Sequence, residues 1–321
     1  MREIEIAVER FPIAGRFTIA RGSRTEAVVV VVHIRDGAHV GAGECVPYAR
    51  YGESVESVLD QIGSVADAVR AGADRAALGA LLPPGAARNA VDCALWDLEA
   101  RRAGVSVAAL AGRAPLRPVT TCYTLSLGTP VQMNEAALAA AQRPLLKVKL
   151  GGDGDPERIA AVRAGAPAAR LVVDANEAWR LHNLAANLAA CAAAGVELIE
   201  QPLPAGDDRA LRGIESPIPL CADESIHDSA SLAALPAWYG AINIKLDKTG
   251  GLTDALVLLD AARTRGLRVM VGCMLATSLA MRPALILAQQ ADVVDLDGPL
   301  LLARDRSPAL RFEGSLLFPD D

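Results

Sequence analysis

A parallel (β/α) barrel preceded by an α+β capping unit is the fold class predicted for this 321-residue chain, on three observations. From about Pro118 onward, short β-like runs alternate with alanine-rich helical stretches, the signature of a parallel sheet. Eight such runs follow one another, enough to close a barrel. Charged residues then recur where the runs end: 25 residues separate Lys149 from Asp174, 26 separate Asp174 from Glu200, 23 separate Glu200 from Asp223, and 22 separate Asp223 from Lys245. A βα unit occupies roughly 30 residues, so each charge holds the same place in its own unit. That place is the C-terminal rim, where barrel enzymes keep their chemistry.

Taken in order, residues 1–115 read as the α+β unit and 116–321 as the barrel, with the last C-terminal residues free to return to the cap. Ile4 to Arg10 alternates, Ala27 to Arg35 is β-branched, and a turn at Asp36-Gly37 leads into Ala38 to Glu44. These predict an antiparallel meander, with Pro12 to Arg24 as a loop able to cover a neighbouring site. Helices are predicted over about Val55 to Ala71, capped by Ser54, and about Ala86 to Ala103, stopped by Gly104. The barrel strands are expected at Val119–Tyr123, Leu145–Leu150, Leu171–Asp174, Leu198–Glu200, Pro217–Cys221, Ile242–Lys245, Arg268–Gly272 and Val293–Leu296.

Composition excludes several classes of function. Apolar residues make up 52% and charged residues 22%, a globular balance that supports a large core, while only 3% aromatics favours packed helices over a β-sandwich. The net charge of −6 carries no basic stripe, so nucleic acid is not an expected partner. No apolar run approaches the roughly 20 residues of a membrane span, and Met1 to Ile6 is no signal peptide. The cysteines (Cys45, Cys93, Cys122, Cys191, Cys221 and Cys273) show neither CxxC nor ligand spacing, which predicts reduced packing residues in a cytoplasmic protein. His33, His39, His182 and His227 share no spacing. Gly151-Gly-Asp-Gly154 lacks a phosphate-loop pattern and reads as a βα loop.

The chemistry lies in the rim charges. Asp174, Glu200 and Asp223 end three consecutive strands. Any one alone reads equally well as a loop cap or salt-bridge partner, but three in register would repel one another and raise their pKa values unless a cation joined them. An all-oxygen set with room for water and substrate suits Mg²⁺, one per subunit. Asn176, Gln201 and Glu224 could support these ligands. In Leu145-Leu-Lys-Val-Lys-Leu150, Lys147 and Lys149 point to the same side of a strand, and Lys245 ends the sixth strand. A substrate on the metal would meet a lysine on each face, as a proton transfer next to a carboxylate requires, and like-charge proximity together with the nearby metal would lower the amines toward a base's range. In Val293-Val-Asp-Leu-Asp-Gly298, Asp295 and Asp297 alternate to one face and either hold a cationic group or form a turn.

Lys147-Val148-Lys149, Asp174, Glu200, Asp223, Lys245 and Lys248-Thr-Gly-Gly251 together resemble the enolase superfamily and, within it, the muconate-lactonising subgroup. The resemblance covers essentially the whole chain and implies a modified (β/α)₇β barrel (a modified TIM barrel) under an N-terminal capping domain. Ile19 to Thr25, Gly43-Glu-Cys45, Tyr51-Gly-Glu53, Ala90 to Trp96 and Asp295-Leu-Asp297 carry the finer resemblance, to dipeptide epimerases. It implies Mg²⁺ on the three acids and Lys149 and Lys245 as the proton-transferring pair, supported by Lys147. It further implies Asp295 and Asp297 on the α-ammonium of a small dipeptide, Thr124 beside the substrate, and Arg24 on an acidic side chain, with Arg16 and Arg21 as further cations of the same loop. Ala276-Thr277 stands where many subgroup members carry an acidic residue.

The expected activity is therefore an Mg²⁺-dependent 1,1-proton transfer on L-Ala-D/L-Glu or related dipeptides, in murein peptide turnover. Cycloisomerase, o-succinylbenzoate synthase and N-succinylamino-acid racemase chemistry are the alternatives on the same scaffold, and a binding barrel without catalysis is the non-enzymatic one. Superfamily members often form higher oligomers, so a homo-oligomer is an open expectation that no stretch of this sequence addresses.

Overall fold

The computed structural model describes residues 2–320. Its first layer is an antiparallel sheet of β1 (Glu3–Ile19), β2 (Gly22–Asp36) and β3 (His39–Cys45) in that order. Every residue of Val29–Val32 is fully buried because β2 is covered on both faces. Val30, Val32 and Ile34 pack with the helices of the cap, whereas Val29 and Val31 join the barrel-side core. The cap helices are α1 (Val55–Arg70), α2 (Arg75–Leu81) and α3 (Ala86–Ala103), with a short α4 (Val107–Leu110) after them. Ser54 caps α1 by accepting from Ser57 N–H, and the Ser57 hydroxyl accepts in return from Ser54 N–H. α3 stops at Gly104, whose φ of 66° is left-handed.

Gly41 and Gly43 let α3 lie directly on β3. A Cβ at Gly41 would sit 2.1 Å from the carbonyl oxygen of Ala94, and one at Gly43 would sit 2.1 Å from that of Ala90. Since both obstacles are backbone, Gly43→Ala should destabilise the protein by about 3 kcal/mol, as overpacking does. A lowered urea midpoint at constant slope is the readout; an unchanged midpoint would show that α3 is free to move.

The barrel begins after β4 (Val119–Thr120). Its strands are β5 (Tyr123–Leu125), β6 (Leu145–Lys149), β7 (Arg170–Asp174), β8 (Val196–Glu200), β9 (Leu220–Ala222), β10 (Ala241–Ile244), β11 (Arg268–Gly272) and β12 (Val293–Asp295). They form one parallel sheet in sequence order, and Cys122 N–H donates to Val294 O at 2.8 Å to bring its two edges together. The intervening helices are α5 (Pro130–Ala139), α6 (Asp155–Gly165), α7 (Leu181–Ala193), α8 (Leu246–Thr249), α9 (Leu252–Thr264), α10 (Ser278–Ala288) and α11 (Gly298–Leu301). A hairpin of β13 (Phe312–Glu313) and β14 (Leu316–Leu317) pairs with β4, while Ala303 N–H donates to Pro12 O in the cap.

Side-chain parity explains how charge enters this barrel. Cys122, Leu145, Val172, Leu198, Cys221, Ala241, Met270 and Val293 make one interior layer. Counting by twos from that layer toward the rim reaches Lys147 and Lys149, Asp174, Glu200, Asp223, Asn243 and Lys245, and Asp295. The alternate residues (Leu146, Val148, Val173, Ile199, Ile244, Val271) face the helices instead.

Three expectations are corrected by the structure. Pro12 to Arg24 is not a loop: β1 and β2 extend through it, pairing Phe17 with Arg24 and Ile19 with Gly22 beyond a register shift between Pro12 and Phe17. The run Val119–Tyr123 splits, β4 going to the C-terminal hairpin and the barrel strand starting only at Tyr123. The connections after β8 and β9 carry only the short 3₁₀ turns Asp208–Leu211 and Ser231–Ala234 in place of full helices. α2 was not anticipated, being too short to show periodicity.

Candidate active site

At the C-terminal ends of β6 to β10 the side chains form one buried ionic cluster. Register does the placing: Lys149 pairs with Asp174 and Asp174 with Glu200 across β6, β7 and β8, and Glu200 lies opposite Cys221 of β9. Asp223 follows β9, and Lys245 follows β10 as the residue before α8. Asp174, Glu200 and Asp223 are at most 1% exposed and Lys149 and Lys245 are 7% exposed, so the acids form the floor and the lysines reach the opening.

Each carboxylate is matched to ammonium groups. Lys149 Nζ donates to Asp174 Oδ2 at 2.6 Å and Lys245 Nζ to Asp223 Oδ2 at 2.6 Å. Lys147 Nζ lies 2.7 Å from Glu200 Oε2 and 2.6 Å from Asp295 Oδ2. Lys248 Nζ donates to Asp223 Oδ1 at 2.6 Å and to two backbone carbonyls. Burial alone would raise all three acids. For Asp174 the ammonium groups of Lys149, Lys147 and Lys245 outweigh it, and for Asp223 those of Lys245 and Lys248 do, so both lie well below the usual carboxylate range. Glu200 stays raised, because burial and the negative charge of Asp174 outweigh Lys147.

Two of the lysines are held high by the carboxylates that surround them. Burial disfavours both ammonium groups, but Asp295 and Glu200 hold Lys147 well above the usual lysine value, and Asp223 and Glu200 hold Lys245 there. Lys248 alone among the shifted lysines is lowered, by burial.

Among the described residues no three His, Cys, Asp or Glu side chains stand together as a ready-made metal cluster, the acids being turned on the lysines. The donor set nevertheless fits a hard divalent cation. It is all oxygen, comes from three adjacent strand ends, and includes Glu200 Oε2, a buried atom close to Lys147 that accepts no well-directed hydrogen bond. Polar neighbours orient it: Asn176 donates to Asp174 through its N–H at 2.9 Å and its Nδ2 at 3.1 Å, Gln201 Oε1 accepts from Asp223 N–H at 2.9 Å, and Asn243 Nδ2 donates to Glu200 Oε1 at 2.7 Å. Asn176, Glu177 and Gln201 all have positive φ, at 46°, 67° and 34°. Backbone strain is thus gathered immediately beyond the acids.

Above the cluster lies a cavity of about 420 Å³ lined by Lys149, Asp223 and Lys245 from the barrel and by Phe17, Arg24 and Tyr48 from the cap. Phe17 covers Lys149, with Nζ 5.9 Å from its ring centre. Of the three loop arginines, Arg21 is engaged, donating to Asn176 O at 2.9 Å and lying 2.8 Å from Glu224 Oε1. Arg24 makes no ion pair among the described residues; its guanidinium stands 5.6 Å over the Tyr48 ring. A larger cavity of about 750 Å³ lies between α3, α4 and α10, and no rim lysine or acid lines it.

Thr124, Asp295 and Asp297 sit at the β12–β5 edge and are not among the residues lining the smaller cavity. Asp295 is joined to the cluster through Lys147. Asp297 Oδ2 accepts from Thr124 N–H at 2.6 Å, and burial together with Asp295 raises its carboxyl to about 7. Ala276 and Thr277 are buried away from the cavity, Thr277 N–H donating to Glu44 of β3 at 2.8 Å. Sequence reasoning missed Asn243, which shares the parity of Lys245 and was open to the same counting. It also missed Phe17, Tyr48, Arg50 and Glu177, which only the packing of cap on barrel brings to the site.

Comparison with known proteins agrees with this geometry. Residues 1–112 match the mandelate racemase / muconate lactonizing enzyme N-terminal domain, and residues 132–302 match the enolase C-terminal domain-like family. The chain is 51% identical over 314 residues to the L-Ala-D/L-Glu epimerase of Escherichia coli (strain K12), covering 97% of this chain and 98% of that protein. A crystal structure of an enolase family member from Agrobacterium tumefaciens with homology to dipeptide epimerases, holding sodium and L-Ala-L-Glu, superposes with a TM-score of 0.98 at 53% identity over 100% of this chain and 98% of that one. The dipeptide epimerase of Enterococcus faecalis V583, complexed with Mg and L-Leu-L-Tyr, does so with a TM-score of 0.91 at 27% identity, over 99% and 97% of the two chains. This chain therefore belongs to the enolase superfamily, in its mandelate racemase / muconate lactonizing enzyme branch.

Proposed function

We propose that the protein is an Mg²⁺-dependent dipeptide epimerase, inverting the α-carbon of the C-terminal residue of L-Ala-D/L-Glu or related dipeptides. The observation that carries this reading is the placement of Lys149 and Lys245 at the ends of the second and sixth strands, on either side of three carboxylates at adjacent strand ends below one cavity. The names of the relatives at 51% and 53% identity support it.

Asp174, Glu200 and Asp223 would hold the cation. When bound, it supplies positive charge beside the substrate carboxylate and takes up acid charge that the lysines otherwise balance, which frees an amine to act as a base. Lys149 and Lys245 then exchange the α-proton from opposite faces, one removing it and the other returning one. Lys147, tied to Asp295, Glu200 and Asp174, keeps the floor of the cluster electrically matched. Arg24 meets the acidic side chain of the substrate, and Thr124, Asp295 and Asp297 bind at its amino end. Since Asp295 already carries Lys147, Asp297 supplies the capacity for a second cation. Residues 1–115 thus act as the cavity roof and 116–321 as the chemical domain. An L-Ala-D-Glu substrate places the reaction in murein peptide turnover, and six unpaired cysteines suit the reducing cytoplasm.

Chromatographic separation of L-Ala-L-Glu and L-Ala-D-Glu after incubation with enzyme and Mg²⁺ tests the reading; failure to interconvert them would remove it. Asp297→Asn should raise KM for the dipeptide about tenfold or more, the loss of a charge-assisted contact, yet leave N-succinyl-glutamate, which has no ammonium, unaffected. The Asp297 carboxyl is protonated below about 7 and ionised above it. Dipeptide affinity should therefore rise as pH climbs through that value, and the rise should vanish in the variant. Unchanged affinity for the dipeptide would instead favour an N-acylamino-acid racemase, and an equal loss for both substrates would show that Asp297 acts otherwise than on the ammonium.

A further inference from the structure

Glu177 has no part in the chemistry above, yet it is 8% exposed and makes more ionic contacts with the cap than any other barrel residue near the cavity. It lies three residues beyond Asp174 with φ of 67°, a conformation that residues other than glycine seldom adopt. The turn aims its carboxylate out of the barrel and into the cap. There Oε2 accepts from Arg50 Nε at 2.7 Å and Oε1 from Arg50 Nη2 at 2.6 Å, a two-pronged pair. Arg21 Nη1 lies 3.2 Å from Oε2, and Ala205 N–H donates to Oε1 at 2.8 Å. One barrel side chain thus grips the β1–β2 turn, the 3₁₀ turn Ala49–Tyr51 and the loop after β8.

The two cap segments are also linked to each other. Arg21 Nη2 donates to the Tyr48 hydroxyl at 3.0 Å, and Arg24 stands over the same Tyr48 ring. Arg24 has no ionic partner of its own among the described residues, so its position depends on that ring and on the strand turn beside it. We propose that Glu177 is a positioning residue for substrate selection: by clasping Arg21 and Arg50 it closes the two cap segments together and sets Arg24 above the cavity for an anionic side chain. The selection half of this proposal rests on the role given to Arg24 above. Nothing about Glu177 requires contact with substrate.

Two readouts on Glu177→Gln separate the clasp from the functional reading. With turnover, KM for L-Ala-L-Glu should rise about tenfold while kcat stays within about twofold, and KM for L-Ala-L-Met should stay within about twofold. An unchanged ratio of the two KM values, whether or not both move, would overturn the role in selection. Without substrate, amide hydrogen exchange over residues 16–26 and 46–53 should quicken about tenfold or more in both segments; exchange unchanged in either would overturn the clasp. Should Glu177→Gln fail to fold, Arg50→Ala removes the same pair from its half-exposed side and is read in the same two ways. Wild-type protein that turns over no dipeptide would remove the role in selection and leave the clasp to be decided by exchange alone.

Discussion

Lys149→Ala will lower epimerisation of L-Ala-L-Glu in both directions by about 10³-fold or more, since a positioned acid or base is worth 10² to 10⁴ and inversion needs two. Its second effect distinguishes a two-base site from a single base that swings across the substrate. With Lys245 intact, one of the two epimers still presents its α-proton to an amine. That epimer should exchange its proton with D₂O without inverting, and the other should not exchange. Lys245→Ala should show the mirror-image preference. Both variants should keep their affinity for Mg²⁺, because neither lysine is among the proposed ligands. Retained inversion in either, or loss of exchange from both epimers in each, would contradict the facing arrangement.

Glu200→Gln will weaken Mg²⁺ by at least about 100-fold, the upper end of what losing a merely supporting contact costs, and activity will fall with it at sub-saturating metal. Glu200 is the central acid, hydrogen-bonded to Asn243 on one oxygen and close to Lys147 on the other. Burial and Asp174 disfavour its charge, so a cation should relieve this residue most. Calorimetric titration of chelator-treated protein reads the affinity directly. Equal affinity in wild type and variant would move the cation elsewhere.

Much of the site was legible because it obeys two periodicities. Lys147 and Lys149 share a face by the two-residue repeat of a strand, and the three acids recur at the length of a βα unit, so spacing along the chain translated into proximity at one rim. The end of α3 was equally readable, from Gly104. What escaped depends on surfaces meeting across the molecule. The β1–β2 extension is a strand interrupted by a register shift at Pro12 to Phe17, which hides its alternation. Glu177 reaches Arg21 and Arg50 over more than 120 residues of sequence, by way of a left-handed turn whose identity as Glu rather than Gly conceals it. The balance of charge around the amines escaped for a similar reason. Lys147 alone faces three carboxylates, a ratio of charges that only the closed barrel defines.

The most direct test is proton NMR of L-Ala-L-Glu in D₂O with the wild-type protein and Mg²⁺, following the α-proton of the glutamate residue. The expected result is loss of that signal with growth of L-Ala-D-Glu resonances, both stopped by a chelator and restored by Mg²⁺. An α-proton that persists while Mg²⁺ is shown to be bound would contradict proton transfer by Lys149 and Lys245 on this substrate.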